Sequence, residues 1–320
     1  MVGTKDNFCS QLRKTKAVPE EYSKSPPQNK NFHNPLENSI FAPMFLRIRY
    51  SFFILFAVVM LSGCSTFQKT LKEGSDNEKY ELAVKLYEEG MEKEKNSMLK
   101  KSLRLQEQII NKYRGRPQGQ KLSFLYADTY YQLKDYYISG YQFERFVSAY
   151  PQSDKRQEAM FKSAKSFYNI SPRYTVDQKE TYQALDKFQQ YLNQYPEGEF
   201  SEKSNEYAAE MQHKLEKKAY EIAKQYHHTL YYKSAIEAMD NFILDFPGSA
   251  FREKAYYYKF ESAYLLAINS YRHLMADRLK EAKDLYEDYI REYPKGEFQK
   301  EANEHLKDIE SRLRNLESTT

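Results

Sequence analysis

The chain has no tryptophan, only two cysteines (Cys9 and Cys64) and only 10 glycines in 320 residues. Without tryptophan it lacks the indole platform on which sugar rings stack, which argues against a glycan-binding surface. Once the N-terminal segment is removed, as argued below, Cys64 is the single remaining thiol, so no internal disulfide can form and the fold rests on its core. No Gly-rich phosphate loop, nucleophile elbow or Cys/His cluster occurs. The run Glu301-Ala302-Asn303-Glu304-His305 lacks the second histidine of the zinc-protease pattern. His227-His228 is the only histidine pair; adjacent helical residues point about 100° apart, so it reads as a solvated helix end rather than a metal site. These absences exclude the common catalytic and cofactor-dependent classes. The expectation is a non-enzymatic protein with no metal and no cofactor. No alternating strand pattern runs for more than a few residues, whereas Lys/Glu/Ala/Leu stretches and scarce glycine favour helix. What the chain has in abundance is 30 tyrosines and 20 phenylalanines. The fold class is all-α with an aromatic core.

The segment Met44–Cys64 reads MFLRIRYSFFILFAVVMLSGC. Arg47 and Arg49 precede an apolar run of about a dozen residues, too short to cross a bilayer, which needs roughly 20. The run ends in Leu61-Ser62-Gly63-Cys64. A basic start, a short apolar run and small residues before a cleavage point describe an export signal. The terminal four residues resemble the bacterial lipobox, which implies diacylglyceryl attachment at Cys64 and cleavage just before it. The 43 residues upstream carry five prolines and no periodicity; they read as a disordered extension or a mis-assigned start, with translation beginning at Met44. The first 63 residues hold eight Lys/Arg and four Asp/Glu, leaving 41 of each in the remainder. That balance removes the compositional case for nucleic acid binding. Residues 64–76 read as a polar tether. Ser65, where an inner-membrane retention signal would place aspartate, points to outer-membrane sorting and a periplasm-facing domain.

One phrase recurs downstream: Tyr150-Pro151-Gln152-Ser153, Tyr195-Pro196-Glu197-Gly198, Phe246-Pro247-Gly248-Ser249 and Tyr293-Pro294-Lys295-Gly296. Twelve residues before each proline stands a small residue (Ser139, Ala184, Ala235, Ala282). Eight before is a bulky one (Phe143, Phe188, Met239, Tyr286), and five before is Phe146, Tyr191, Phe242 or Tyr289. Spacings of four, three and four trace one helical stripe. Proline ends the helix and moves the aromatic before it toward extended geometry. Four residues after the proline come Phe200, Phe251 and Phe298, with Lys155 the exception; eight after come Ala159, Ser204, Ala255 and Ala302. This resembles the tetratricopeptide repeat. With Pro151 at position 32, Ala127, Tyr130, Ser139 and Phe143 fall at positions 8, 11, 20 and 24. A degenerate earlier copy has Ser102 and Ile109 in phase and its proline displaced to Pro117. The reading is a right-handed solenoid of about five helix pairs over residues 77–293, with a capping helix over 297–316. The domain extends over 77–317, and long first helices are expected over 202–227 and 252–275.

A lipid-anchored chain with five such repeats resembles the BamD family of lipoproteins of the outer-membrane β-barrel assembly machinery. The stretch Lys214–Tyr226 is similar to that family's fourth-repeat opening helix, with Leu215, Tyr220, Ala223 and Tyr226 matching, followed by Tyr232 and Ala235. Ala219 replaces the usual glutamate, and Thr229-Leu230 replaces an Arg-Gly turn. The resemblance implies a scaffold. Repeats three to five would dock the barrel-forming subunit, and repeats one and two would take the C-terminal strand signal of unfolded barrel substrates. The groove formed by first helices is the expected peptide site, with Tyr87, Tyr126, Tyr131 and Tyr137 as candidate lining residues. Tyr130 is expected to be repeat core. The alternative is another envelope scaffold, coordinating peptidoglycan or division proteins.

Overall fold

The computed structural model describes residues 65–318. The upstream extension and the signal residues Leu61, Ser62, Gly63 and Cys64 lie outside the described residues. Twelve α-helices follow in order: α1 Ser65–Glu73, α2 Asp76–Glu92, α3 Asn96–Ile109, α4 Gly119–Gln132, α5 Tyr136–Ala149, α6 Arg156–Ile170, α7 Lys179–Gln194, α8 Ser201–His228, α9 Tyr232–Asp245, α10 Arg252–Ile268, α11 Arg272–Glu292 and α12 Gln299–Glu317. A 3₁₀ turn, Ile110–Tyr113, follows α3. Each helix packs on the next, so α2/α3, α4/α5, α6/α7, α8/α9 and α10/α11 form repeats 1 to 5, and α12 covers the last. The fold is the all-helical repeat stack that the recurring phrase requires.

The stripe positions are core. Ser139, Ala184, Ala235 and Ala282 are fully buried, as are Phe143, Phe188, Met239 and the residues eight past each proline. Small residues let the paired helices approach: Ser102 Oγ donates to the Ala83 carbonyl (2.6 Å) and Ser139 Oγ to that of Ala127 (3.1 Å). Gly140 serves the same end, since a Cβ there would stand 3.0 Å from the Phe167 ring.

The closing phrase has one geometry throughout. Tyr150, Tyr195, Phe246 and Tyr293 cap their helices with φ between −128° and −134° and ψ between 64° and 68°. That lies outside the helical basin but short of the fully extended ψ expected before proline. Each cap's N–H reaches the carbonyl of the aromatic four residues earlier.

The next helix opens on an orphan donor, the N–H of the residue four past the proline. Two solutions alternate. In repeats 2 and 4 the acceptor is the serine of the phrase, Ser153 Oγ for Lys155 (3.1 Å) and Ser249 Oγ for Phe251 (3.2 Å). In repeats 3 and 5 it is the buried tyrosine of the stripe, Tyr191 Oη for Phe200 (3.1 Å) and Tyr289 Oη for Phe298 (3.2 Å). The hydroxyl then fills the space beside Gly198 and Gly296, where a Cβ would come within 2.8 and 2.5 Å of it. Phenylalanine pairs with serine, tyrosine with glycine.

Within repeats 1, 2 and 4 the two helices join through the same tight turn. Glu94, Lys134 and Leu230 sit at φ 51°, 65° and 65°, and the following N–H closes back onto the carbonyls of Gly90, Tyr130 and Tyr226. This is the left-handed helix ending that glycine usually supplies.

Two expectations require correction. Residues 65–73 are not a tether: they form α1, which packs on α2 and α3 with Phe67 beneath Lys101. Ser75 then caps α2 in a capping box with Glu78. The helix expected over 252–275 ends at Ile268, because Asn269 Nδ2 and Ser270 Oγ bond back to the Leu265 and Leu266 carbonyls and a new helix begins at Arg272. Among the described residues, no helix is long and apolar enough to cross a membrane.

Candidate functional site

First helices α2, α4 and α6 line an open cleft of about 540 Å³ in the N-terminal half. Met91 and Tyr87 come from α2, Phe124 and Asp128 from α4, Glu158 and Lys162 from α6. Asp128 is 2% exposed along its side chain, yet it is fully partnered. It accepts from Tyr87 Oη (2.5 Å), Gln132 Nε2 (3.1 Å) and Lys162 Nζ (2.5 Å). Lys162 also pairs with Glu158 at 2.8 Å and lies 5.5 Å from the centre of the Phe124 ring. Burial pulls the Lys162 ammonium down, but Asp128 and Glu158 outweigh it and hold it above its ordinary value. Burial and the Asp128 carboxylate raise Tyr87, so its phenol stays protonated and donates. The cleft thus has an aromatic floor and a charged wall whose groups hold one another in place.

The four candidate tyrosines do not share this site. Tyr87 lines the cleft. Tyr126 lines a separate cleft of about 520 Å³ between the second helices, beside Arg114 and Arg145, and its hydroxyl meets that of Tyr130 at 3.3 Å. Tyr131 packs edge-on against Tyr136 and Phe143 as part of the repeat-2 core, and burial raises its pKa to about 12. Tyr137 is 57% exposed and stacks edge-on with Tyr141. Tyr130 is core, as its phase requires. Asp128 and Lys162, 34 residues apart, were not signalled by the sequence; only their positions on the inward faces of successive first helices connect them.

The C-terminal half has two features. On α8, Ile222 and Tyr226 stand exposed one helical turn apart, and the tight turn beyond adds Leu230 (68% exposed) and Tyr231. Behind this stripe, Glu261 of α10 faces His227 of α8 (3.3 Å) and His305 of α12 (3.6 Å), and accepts from Tyr257 Oη (3.1 Å). His227 Nδ1 contacts Ser262 Oγ at 2.9 Å. His227 is therefore not a solvated helix end: its side chain is 11% exposed, and only His228 faces solvent. Burial lowers the His227 pKa, with Glu261 opposing. For Glu261, burial pushes up, but the His305 bond, His227 and Tyr257 bring the net below the usual carboxylate range. No group of three metal-ligating side chains converges among the described residues.

Comparison with known proteins agrees with this architecture. Residues 81–273 match the family YfiO, described as "Outer membrane lipoprotein", and residues 261–296 match a tetratricopeptide repeat family. A protein of Aquifex aeolicus (strain VF5), named as a candidate outer membrane protein assembly factor BamD, is 26% identical over 264 residues, 82% of each chain. The family match spans more than half of the sequence and covers repeats 1 to 4 almost entirely. The chain belongs to the YfiO/BamD family of outer membrane lipoproteins, which are assembly factors rather than enzymes.

Proposed function

We propose that this protein is a lipid-anchored scaffold for assembling outer-membrane β-barrel proteins, tethered through Cys64 with its repeats facing the periplasm. Family membership supports the assembly role. The observation that carries the division of labour is the contrast between a concave N-terminal cleft and an exposed C-terminal stripe. The cleft formed by α2, α4 and α6 suits an extended peptide with an aromatic end: Phe124 and Met91 offer apolar contact, while Lys155 and Lys162, both held by Glu158, fix the charged wall beside Phe124. Unfolded barrel substrates are the peptides assigned to it. The stripe Ile222, Tyr226, Leu230 and Tyr231 is the docking surface assigned to the barrel-forming subunit, because exposed aromatic and aliphatic groups on a rigid turn make interface anchors.

Affinity capture of the tagged protein from detergent-solubilised envelope should recover an outer-membrane β-barrel protein with periplasmic modules. A clean capture without one removes the assignment. Depletion should lower many outer-membrane barrels together; chaining or septal defects alone would favour a division scaffold instead. Photo-crosslinkers at Tyr87 and at Leu230 should capture different partners, substrate at the first and the barrel-forming subunit at the second.

A further inference from the structure

The stack has two edges, one carrying the turns within each repeat and the other the proline phrases between repeats. Among the described residues, eleven large apolar side chains are exposed. Ten of them lie within two helical turns of a within-repeat turn, and only Leu244 stands beside a proline phrase. Met91 belongs to the peptide cleft and Ile222, Tyr226, Leu230 and Tyr231 to the docking stripe, which leaves Tyr137, Val176, Tyr182, Tyr271 and Leu274 on that edge with no assigned cover. Solvation alone would not sort apolar groups to one edge.

Helix α1 points to the same edge. The start of α2 is held at the opposite edge, where Lys112 meets Asp76 at 2.7 Å and Tyr113 Oη meets the Asp76 carbonyl. Phe67 lies against Lys101, near the start of α3. Helix α1 therefore runs alongside α3 in the same sense, and its Ser65 end, next in sequence to Cys64, is directed to the within-repeat turns.

The longest of those turns, residues 171–178 of repeat 3, gathers positive charge. Three lysines of α8 reach it: Lys214 Nζ donates to Ser171 Oγ (2.7 Å), Lys218 Nζ to the Val176 carbonyl (2.6 Å), and Lys217 Nζ lies 4.6 Å from the Tyr174 ring centre. None of the three pairs with a carboxylate among the described residues. An ammonium has three donors, so each keeps donors for an outside acceptor. The turn itself contributes Arg173 and one acid, Asp177, which caps the Lys179 amide. Gln178, 3% exposed, stiffens the turn by donating to the carbonyls of Arg173, Val176 and Asp177. The result is a rigid basic loop with Val176 exposed at its tip.

We propose that the within-repeat edge lies against the lipid bilayer and that the repeat-3 loop docks on anionic phospholipid headgroups, Arg173, Lys214, Lys217 and Lys218 meeting phosphate while Val176 enters the interface. Basic groups flanking a small apolar insert are the recognition chemistry of such surfaces, and tyrosines are suited to the headgroup level. This rests on the anchoring of the chain through Cys64. It also fits the assigned docking stripe, since a partner embedded in the membrane would be met on the same side.

The test uses the acylated protein reconstituted in vesicles of phosphatidylethanolamine and phosphatidylglycerol, with a polarity-sensitive fluorophore on Val176→Cys or Leu244→Cys and a quencher carried on the lipid. Quenching should be several-fold stronger at position 176 than at 244. Lys217→Gln with Lys218→Gln, or vesicles of phosphatidylcholine alone, should largely abolish that difference, because each lysine beside an anionic leaflet is worth roughly fivefold in binding. Thr175→Cys serves as a second probe should Val176→Cys disturb the loop. Equal quenching at both edges overturns the proposal, as does shielding of position 176 that arises only when an acidic protein partner is added. Acyl mass on Cys64, read separately, shows whether a failure lies with the anchor or with the edge.

Discussion

Asp128 and Leu230 mark opposite ways of using a repeat. In the N-terminal half a carboxylate is withdrawn from water at the base of a cleft and held by a tyrosine, a glutamine and a lysine from three helices. In the C-terminal half an aliphatic side chain is pushed into water on a turn whose φ of 65° disfavours any residue with a Cβ. Ionic and hydrogen-bonded order fixes the first region's shape, while the second leaves apolar area uncovered and places its charged groups behind the surface, in the Glu261 cluster. A cleft with fixed walls suits repeated capture of short segments. An open edge suits one extended partner.

The largest expected effect comes from breaking the order of the cleft. Asp128→Ala removes the acceptor shared by Tyr87, Gln132 and Lys162, leaves Lys162 with Glu158 alone, and should cost about 3 kcal/mol of stability, measured by urea unfolding, whereas Asp128→Leu with Lys162→Met should recover part of it. If the single variant is neutral, the cleft is not organised by that pair. Next comes the packing between phrase and stripe. Gly198→Ser alone should cost about 1–3 kcal/mol through overpacking against Gln157 Nε2 and the Tyr191 hydroxyl to which it donates; combined with Tyr191→Phe, which frees Gln157 to move, it should cost less than the two singles together, the coupling being read by a double-mutant cycle.

Acid should loosen the C-terminal half first. His227 and Glu261 both have folded pKa values below their ordinary values of 6.5 and 4.5, so the unfolded chain binds more protons in acid. Their stabilisation is full above those ordinary values and is lost as pH falls through the folded ones. Hydrogen exchange should show α8, α10 and α12 opening below about pH 6 ahead of α2 to α5, and His227→Gln should flatten the upper part of that dependence. The smallest effect has two signs. Leu230→Gly relieves the left-handed strain and should raise stability by about 1 kcal/mol, yet it should weaken capture of the barrel-forming subunit. A variant that gains stability and keeps its partner would remove Leu230 from the interface.

The architecture was legible because helix pairing leaves a periodic trace. Small residue, bulky residue, aromatic and proline recur in phase, and each position in the trace is set by one neighbouring helix. The cleft was only half legible. Tyr87 could be chosen from its place on a first helix, but Tyr126 and Tyr131 share helix α4 with Asp128 and leave it at other angles, one toward a second cleft and one into the core. Asp128 with Lys162, and His227 with Glu261 and His305, are joined only by the stacking of repeats, and polar residues carry no period that would reveal it. Helix α1 escaped notice because its apolar stripe is only two large residues, Phe67 and Leu71 one turn apart, too short to stand out from a linker; packing on α2 and α3, rather than propensity, makes it a helix.

The alternation at the proline phrases constrains how such a chain can change over time. A repeat of the tyrosine and glycine kind can lose its hydroxyl first and acquire serine afterwards, since the intermediate forfeits two hydrogen bonds and opens a little room. The reverse order crowds a half-buried site, where a Cβ meets the tyrosine hydroxyl and the Gln157 or Glu253 side chain bonded to it. Substitutions at these two sites are thus coupled as well as paired in space, and removing the hydroxyl before adding the serine is the less costly order.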